Sequence, residues 1–295
     1  MMNKQENFNT LVEQAMRMEG RTHMRPVIEK ELFHYDILFA LDSDGLLDRL
    51  TFQGGTSLRL CYGAPRFSED LDFAGGKSFK TADLMMMKDC IEEYLGKRYG
   101  LQVTVKEPKE MAQEIQGNEI KVDKWQISIT TSPGKKDLPK QRIKIEVINI
   151  PSYSRTPQSL KHNYDFLPDG YSDILVMTET LDEIMADKLI SFVNCNRTIR
   201  HRDIWDLRWL KQQGAKINAE FILKKINDYY IADYSDRLSN RLLNLSSIVK
   251  GKAFYEEMSR FIPDDIQEKT LKKEKFLDFL NNEIHALLLD VQKII

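Results

Sequence analysis

The chain has 295 residues, of which 42% are hydrophobic and 30% are charged, and its formal net charge is −2. This length suffices for one large domain or two ordinary ones. No apolar run reaches the roughly 18 residues of a membrane span, and the first ten residues lack the apolar segment of a secretory signal. The near-neutral charge argues against a general nucleic-acid binder, although a local basic patch stays open.

The three cysteines, Cys61, Cys90 and Cys195, are far apart and follow no metal-ligand spacing. We expect them to be small, buried apolar side chains in a reducing compartment. The sequence therefore predicts a cytoplasmic protein without a membrane partner.

The first half of the chain mixes helical and strand patterns. In chain order, the predicted elements are a helix at 24–41, a strand at 50–52, a helix at 56–62, a strand at 71–73, a helix at 82–98, and strands at 101–107, 120–131 and 142–150. Thr56 is the predicted N-cap of its helix. A turn-rich stretch at 132–139 predicts a hairpin connection, and a loop is predicted from Pro151 to about Asp173.

The last third of the chain is almost entirely helical in pattern. Amphipathic helices are predicted at 180–194, 201–213, 218–231, 236–249, 252–261 and 270–292. We therefore expect an α+β fold, with a mixed β-sheet core flanked by helices and a C-terminal helical bundle after it. The expected domains are 1–175 and 176–295, and the second is expected to contribute to the active-site cleft.

The most informative segment is 52–73, FQGGTSLRLCYGAPRFSEDLDF. Gly54 and Gly55 follow a strand and permit close approach to a ligand, and the helix that Thr56 opens would favour a phosphate. Asp70 and Asp72 are one residue apart on a strand, so their side chains point to the same face. Such a carboxylate pair favours a hard cation such as Mg²⁺, with Mn²⁺ as an alternative.

Two such ions can activate an attacking hydroxyl and stabilise leaving pyrophosphate, but they usually need a third carboxylate. Glu146, on the strand KIEV, is the best placed candidate, and its alternative is a solvated residue on an edge strand. Lys144 shares its face and could contact a phosphate. Alone, a D-x-D or a glycine pair is usually structural, and only their combination favours a site.

In this combination the sequence resembles the AbiEii/AbiGii-type toxins, a family of the DNA polymerase β-like nucleotidyltransferase superfamily. The motifs that carry the resemblance are G-G-T at 54–56, R-x-S-x-D-x-D at 66–72, Lys144–Val147, Asp187-Lys188 beginning a helix, and Arg197 with RDIWDL at 202–207. They span about 30–210. The resemblance implies a nucleotidyltransferase-like fold and transfer of a nucleotide from an NTP, to the 3′ end of tRNA in characterised members.

Residue by residue, the resemblance implies the following roles. The metal ligands would be Asp70, Asp72 and Glu146, although the family often has Asp at the position of Glu146. The catalytic residues would also include Lys188, which would contact the phosphates. Asp203 would orient Lys188 or assist the acceptor. Substrate-binding residues would be Gly54, Gly55, Thr56, Arg66, Ser68, Lys144 and Arg197. A cognate antitoxin of an abortive-infection pair is the expected partner.

Two of these assignments have a purely structural alternative. Lys188 could be an exposed lysine paired with Glu183 on its own helix. A basic cluster could bind phosphate or be a solvated helix end. It consists of Arg197, Arg200, His201, Arg202 and Arg208. Trp205 and Trp209 are most simply packing residues.

Two other functional classes stay open. One is an enzyme of the same chemistry that acts on a protein or on a small molecule such as an antibiotic. The other is a catalytically silent protein that binds nucleotide or RNA. A basic acceptor cleft would favour tRNA, and an acidic one an aminoglycoside.

Overall fold

The structure, a computed structural model, describes residues 6–108, 120–132, 134, 140–195 and 198–295. Among these residues the α-helices are α1 (Phe8–Met16), α2 (Arg25–Ser43), α3 (Gly54–Leu60), α4 (Met87–Tyr99), α5 (Leu181–Asn194), α6 (His201–Gln212), α7 (Ala219–Asp228), α8 (Tyr234–Val249), α9 (Lys252–Ser259), α10 (Asp264–Lys269) and α11 (Glu274–Gln292). Short 3-10 helices span Thr81–Leu84 and Asp169–Tyr171. None of the helices in the described ranges is long and apolar enough to cross a membrane.

One mixed sheet of seven strands, in the order β3-β4-β5-β2-β1-β7-β6, organises the first part of the chain. The strands are β1 (Thr51–Gln53), β2 (Leu71–Ala74), β3 (Gln102–Lys106), β4 (Val122–Thr130), β5 (Gln141–Ile148), β6 (Arg155–Ser159) and β7 (Leu175–Glu179). β2 runs parallel to β5 and antiparallel to β1. The predicted α+β class with a mixed sheet flanked by helices is confirmed.

Strands β4 and β5 show why the sheet has one open face. Trp125, Ile127, Ile143 and Ile145 are fully buried, and the residues between them along each strand are exposed or half-buried. This alternation with a period of two buries one face and leaves polar side chains on the other. The same alternation predicted both strands correctly.

Several local predictions were wrong. The helix after the glycine pair begins at Gly54, so Thr56 lies inside it and is not its N-cap. The predicted helix at 82–98 is a 3-10 turn followed by α4. Strand β6 lies in the predicted loop, and β7, α1 and α10 were not predicted. Most of the predicted hairpin connection at 132–139 falls outside the described residues.

The contacts divide the chain into two compact units, Met1–Thr178 and Glu179–Ile295. The first unit contains the sheet with α1 to α4, and the second contains α5 to α11. That the helical part contributes to the active-site cleft stays a prediction.

The second unit is built around a buried lysine. The ammonium of Lys225 lies 3.3 Å from Glu179, 2.9 Å from Glu183 and 3.0 Å from Asp187. Burial, the Asp187 carboxylate and then Glu183 raise the pKa of Glu179 well above its usual range, against the opposing charge of Lys225. These carboxylate oxygens form a group compact enough for a metal ion, but the ammonium already supplies the cation.

We predict that Lys225→Met lowers the free energy of unfolding by about 3–5 kcal/mol, because it leaves buried carboxylates without their cation. The matched control is Lys224→Met, since the half-buried Lys224 pairs with the exposed Glu220, and this change should cost less than about 1 kcal/mol. Urea unfolding of both variants measures the difference. Equal stabilities would show that the buried cation contributes nothing to the fold.

Candidate active site

The site begins where β1 turns into α3. Gly54 has a φ of +77°, a left-handed conformation that side chains other than glycine rarely adopt. A Cβ at this position would lie 2.7 Å from Oδ2 of Asp72. The backbone of α3 therefore lies directly against the Asp72 carboxylate, and Gln53, the residue before the glycine, pairs with Asp72 across the antiparallel strands.

The second glycine makes a similar close approach. A Cβ at Gly55 would collide with Nη2 of Arg66 and would lie 3.0 Å from Oγ of Ser68. Arg66 and Ser68 are both buried, and Nη1 of Arg66 donates to the carbonyl of Phe67 at 2.7 Å. Both side chains are therefore packed within the loop that precedes β2, and their predicted contact with substrate stays a prediction.

Asp70 and its neighbour Glu69 are held by contacts from three elements, α3, β5 and α2. The hydroxyl of the buried Thr56 donates to the carbonyl of Asp70, so this side chain supports the loop. The backbone N–H of Lys144 on β5 donates to Oδ1 of Asp70 at 3.1 Å, and the Lys144 ammonium lies 4.0 Å from Oδ2. On α2, Nε2 of His34 lies 3.0 Å from the carbonyl of Glu69.

Glu146 lies opposite Asp72 in the register of β2 and β5, so both side chains point to the same face. Its carboxylate accepts from the ammonium of Lys124 on β4 at 3.0 Å. Both partners are partly exposed, with 58% of the Lys124 side chain accessible. Glu146, predicted as the third metal ligand, thus lies on β5 opposite Asp72 and is paired with a lysine.

The hard, partly exposed carboxylates of Asp70 and Asp72 fit a Mg²⁺ ion. Within the described ranges, however, Asp70, Asp72 and Glu146 do not form a group with all ligand oxygens within 4.8 Å of one another. Glu146 would have to leave Lys124 to complete a three-carboxylate site. The assignment of Glu146 stays a proposal.

The remaining predicted residues lie in the second unit. Lys188 is buried, and its ammonium lies 2.7 Å from Oδ1 of Asp203 and 3.1 Å from Oδ2 of Asp206. The Asp187-Lys188 pair lies in the middle of α5, not at its beginning. Lys188 thus pairs with α6, while Glu183, the alternative partner weighed from the sequence, pairs with Lys225.

The predicted basic cluster is only partly available to a ligand. His201 is buried, and its Nδ1 lies 2.9 Å from Glu257, which also pairs with Arg202 at 3.3 Å. The guanidinium of Arg208 lies over the ring of Trp205, which is itself buried as expected. Arg197, predicted to bind substrate, falls outside the described residues.

The family model of the nucleotidyl transferase AbiEii toxin, type IV toxin–antitoxin system, matches residues 36–282. The chain belongs to this AbiEii family. No curated protein sequence matches it significantly. Among solved structures, JHP933 from Helicobacter pylori has 17% identity and a TM-score of 0.47, covering 90% of this chain and 92% of its own. A candidate nucleotidyltransferase from H. pylori has 17% identity and a TM-score of 0.46, covering 90% and 95%.

Membership of the AbiEii family confirms the resemblance stated from the motifs. Two charged residues at these motifs were given no role from the sequence. Asp206 could have been found, because it follows Asp203 by three residues and shares its helix face. Lys124 could not, because only the β4–β5 register places it opposite Glu146.

We predict that Gly54→Ala displaces the Asp72 carboxylate as well as straining the backbone. The matched control is Gly63→Ala, since Gly63 has a φ of +81° but no neighbouring atom within 4 Å of an added Cβ. Backbone strain alone should cost each variant roughly 1–2 kcal/mol in the free energy of unfolding. Only Gly54→Ala should also lose nucleotidyl transfer, measured at a temperature where both are folded. Equal activities would contradict the close approach.

We predict that His34 makes the fold sensitive to acid. Burial lowers the pKa of His34 to about 4, against 6.5 in an unfolded chain. Between these values the unfolded state binds more protons, so this contribution to stability is lost as the pH falls from 6.5 towards 4. His34→Gln, whose amide can still donate to Glu69, should lose less stability between pH 7 and pH 5 than the wild type does. The expected difference is on the order of 2 kcal/mol, and urea unfolding at both pH values measures it.

Proposed function

We propose that this AbiEii-family protein is a Mg²⁺-dependent nucleotidyltransferase that moves an NMP from an NTP to an acceptor hydroxyl of RNA, in particular at a tRNA 3′ end. The observation that carries the proposal is the arrangement of Asp70 and Asp72. The Asp72 carboxylate lies against the backbone of Gly54, which has no side chain, and the Asp70 carboxylate accepts from the N–H of Lys144 on β5.

In this proposal Asp70 and Asp72 would hold the divalent ion, and Glu146 would complete the set if its pair with Lys124 separated. Mg²⁺, or Mn²⁺ in its place, supplies charge neutralisation for the triphosphate and lowers the pKa of the attacking hydroxyl. The N–H that Lys144 donates to Oδ1 of Asp70 holds this carboxylate in place. To join this site, Glu146 would only have to separate from Lys124, and this ion pair is partly exposed.

The nucleotide lies at the turn between β1 and α3. The Thr56 hydroxyl already donates to the carbonyl of Asp70. Gly55 and Thr56 therefore contact the triphosphate through their backbone N–H groups and not through this hydroxyl. The family resemblance implies that Lys188 would act on the phosphates. The carboxylate of Asp203 orients this ammonium at 2.7 Å.

The reaction is an in-line displacement at the α-phosphorus. The acceptor oxygen forms a new bond to this phosphorus, the bond to the β-phosphate oxygen breaks, and pyrophosphate leaves. The proton of the hydroxyl passes to a carboxylate of the Asp70/Asp72 site. Catalysis is then mainly positioning and charge neutralisation, which explains why the site needs several rigidly held acids and bases.

The family is that of a type IV toxin–antitoxin system, so an antitoxin is the expected protein partner. An RNA acceptor is favoured over a cationic antibiotic by the lysines on the open sheet face beside Asp70. Lys124 and Lys144 are both more than half exposed there, and they would repel an aminoglycoside.

We predict that Asp70→Asn lowers transfer by a factor of about 100 to 1,000, as expected for loss of one preorganised charge. The amide oxygen of Asn can still accept from the Lys144 N–H, so the loop should keep its position. Purified protein, Mg²⁺, each labelled NTP in turn and total cellular RNA provide the assay. Asp89→Asn, on the exposed surface of α4, is the matched control.

Label in the tRNA band that requires the wild-type Asp70 supports both the reaction and the acceptor. Label in protein or in a small molecule would show that this molecule, and not RNA, is the acceptor of the same transfer reaction. NTP binding without transfer to any acceptor would favour the silent binding protein. Full activity of Asp70→Asn would overturn the assignment of the site.

A further inference from the structure

The open face of the sheet carries a lysine groove, defined by its described lining residues. It has a volume of about 410 Å³ and is lined by Lys106, Glu107, Pro108, Lys121, Val122, Asp123, Lys124, Gln126 and Lys144. Four of these residues are lysines, on a chain whose net charge is −2. The groove is therefore a local concentration of positive charge.

The register of three strands arranges these lysines beside the carboxylates. Lys106 on β3 pairs with Gln126 on β4, which pairs with Lys144 on β5. Since neighbouring strands are about 4.8 Å apart, this row crosses about 10 Å of sheet. It ends at Lys144, whose N–H is donated to Asp70. The row thus leads from the edge strand directly to the proposed reaction centre.

The two acids of the groove do not cancel its charge. Asp123 is buried, accepts from Thr81 at 2.5 Å and pairs with Lys121 at 3.2 Å. Glu107 is the second acid of the lining. The lining also contains the exposed Lys106 and two lysines that are more than half exposed, Lys124 and Lys144. The ammonium groups of Lys124 and Lys144 lie 3.0 Å from Glu146 and 4.0 Å from Asp70, so the attraction of a polyanion depends first on the exposed Lys106 of edge strand β3.

The lining also indicates which part of a nucleic acid would bind. None of the described lining residues is aromatic, so the groove offers no platform on which a base could stack. Lysine ammonium groups bind phosphates without reading the sequence. The expected contact is with a phosphodiester backbone, independent of base identity.

We propose that the lysine groove binds the backbone phosphates of the RNA acceptor and leads its terminal hydroxyl towards Asp70 and Asp72. The inference rests on the proposed function for the role of this RNA as acceptor. The NTP triphosphate, the other source of phosphate, is assigned to the Gly55–Thr56 turn. The two sources are distinguished by measuring binding of RNA and of NTP separately.

The test uses the full chain with Lys106→Gln, because Lys106 lies on edge strand β3 and is not one of the residues assigned to the metal or the triphosphate. Lys97→Gln is the matched control: Lys97 is also an exposed lysine of the same unit, but it lies on α4, where it pairs with Glu93. Fluorescence anisotropy with bulk tRNA and with a labelled single-stranded RNA gives Kd at several salt concentrations. A fluorescent NTP analogue gives nucleotide affinity.

Lys106→Gln should weaken RNA binding about fivefold at low salt and reduce the salt slope by about 0.7–0.9, the value for one lost phosphate contact. Lys106→Glu should weaken it further, and Lys97→Gln should leave it unchanged. NTP affinity should be the same in all variants. Circular dichroism confirms that each variant is folded.

Two results would overturn the inference. One is unchanged RNA affinity in folded Lys106→Glu, and the other is a loss of NTP affinity instead of RNA affinity. Binding is also measured in the Asp70→Asn background, where no transfer is expected. RNA binding that depends on Lys106 in this background supports the groove even if the proposed transfer reaction fails, so the two failures are distinguishable.

Discussion

The close approach of α3 to β2 is the constraint on which the candidate site depends. A Cβ at Gly54 would lie 2.7 Å from the Asp72 carboxylate, so only glycine lets the helix begin at this point. Because Asp72 is also paired with Gln53 and Glu146, a displacement of α3 would be transmitted to both neighbouring strands. Rigid strands then hold the carboxylates in a fixed geometry, which is what a reaction that depends on positioning requires.

Exposure separates the lysine–carboxylate pairs of this chain into two kinds. Lys225 is 1% exposed and pairs with buried acids, so its separation would leave charges in a poorly solvated interior. Lys124 is 58% exposed and pairs with the half-exposed Glu146, so water can replace either partner at little cost. Separating Lys124 from Glu146 would therefore cost little, whereas the compact acidic group around Lys225 is better understood as part of the fold.

The sequence predicts those features that depend on local pattern. Alternation within β4 and β5 identified both strands. Asp70 precedes β2, which begins at Leu71, so its sharing a face with Asp72 stays a prediction. The pairing of Lys124 with Glu146 depends on the register of strands far apart in the chain, which no local pattern encodes. The Thr56 cap was wrong because Gly54 accepts a positive φ and starts the helix two residues earlier, which leaves the threonine hydroxyl for Asp70.

The net charge of −2 is compatible with an RNA substrate when the arrangement of the lysines is considered. The antiparallel strands β3, β4 and β5 place Lys106, Lys124 and Lys144 on one face, although these lysines are distant in sequence. A local patch attracts a polyanion at short range, where charges beyond the roughly 10 Å Debye length of 0.1 M salt are screened. Without a basic excess over the whole surface, non-specific adsorption along nucleic acid is weak. Such a distribution suits an enzyme that must engage one end of an RNA strand rather than coat its length.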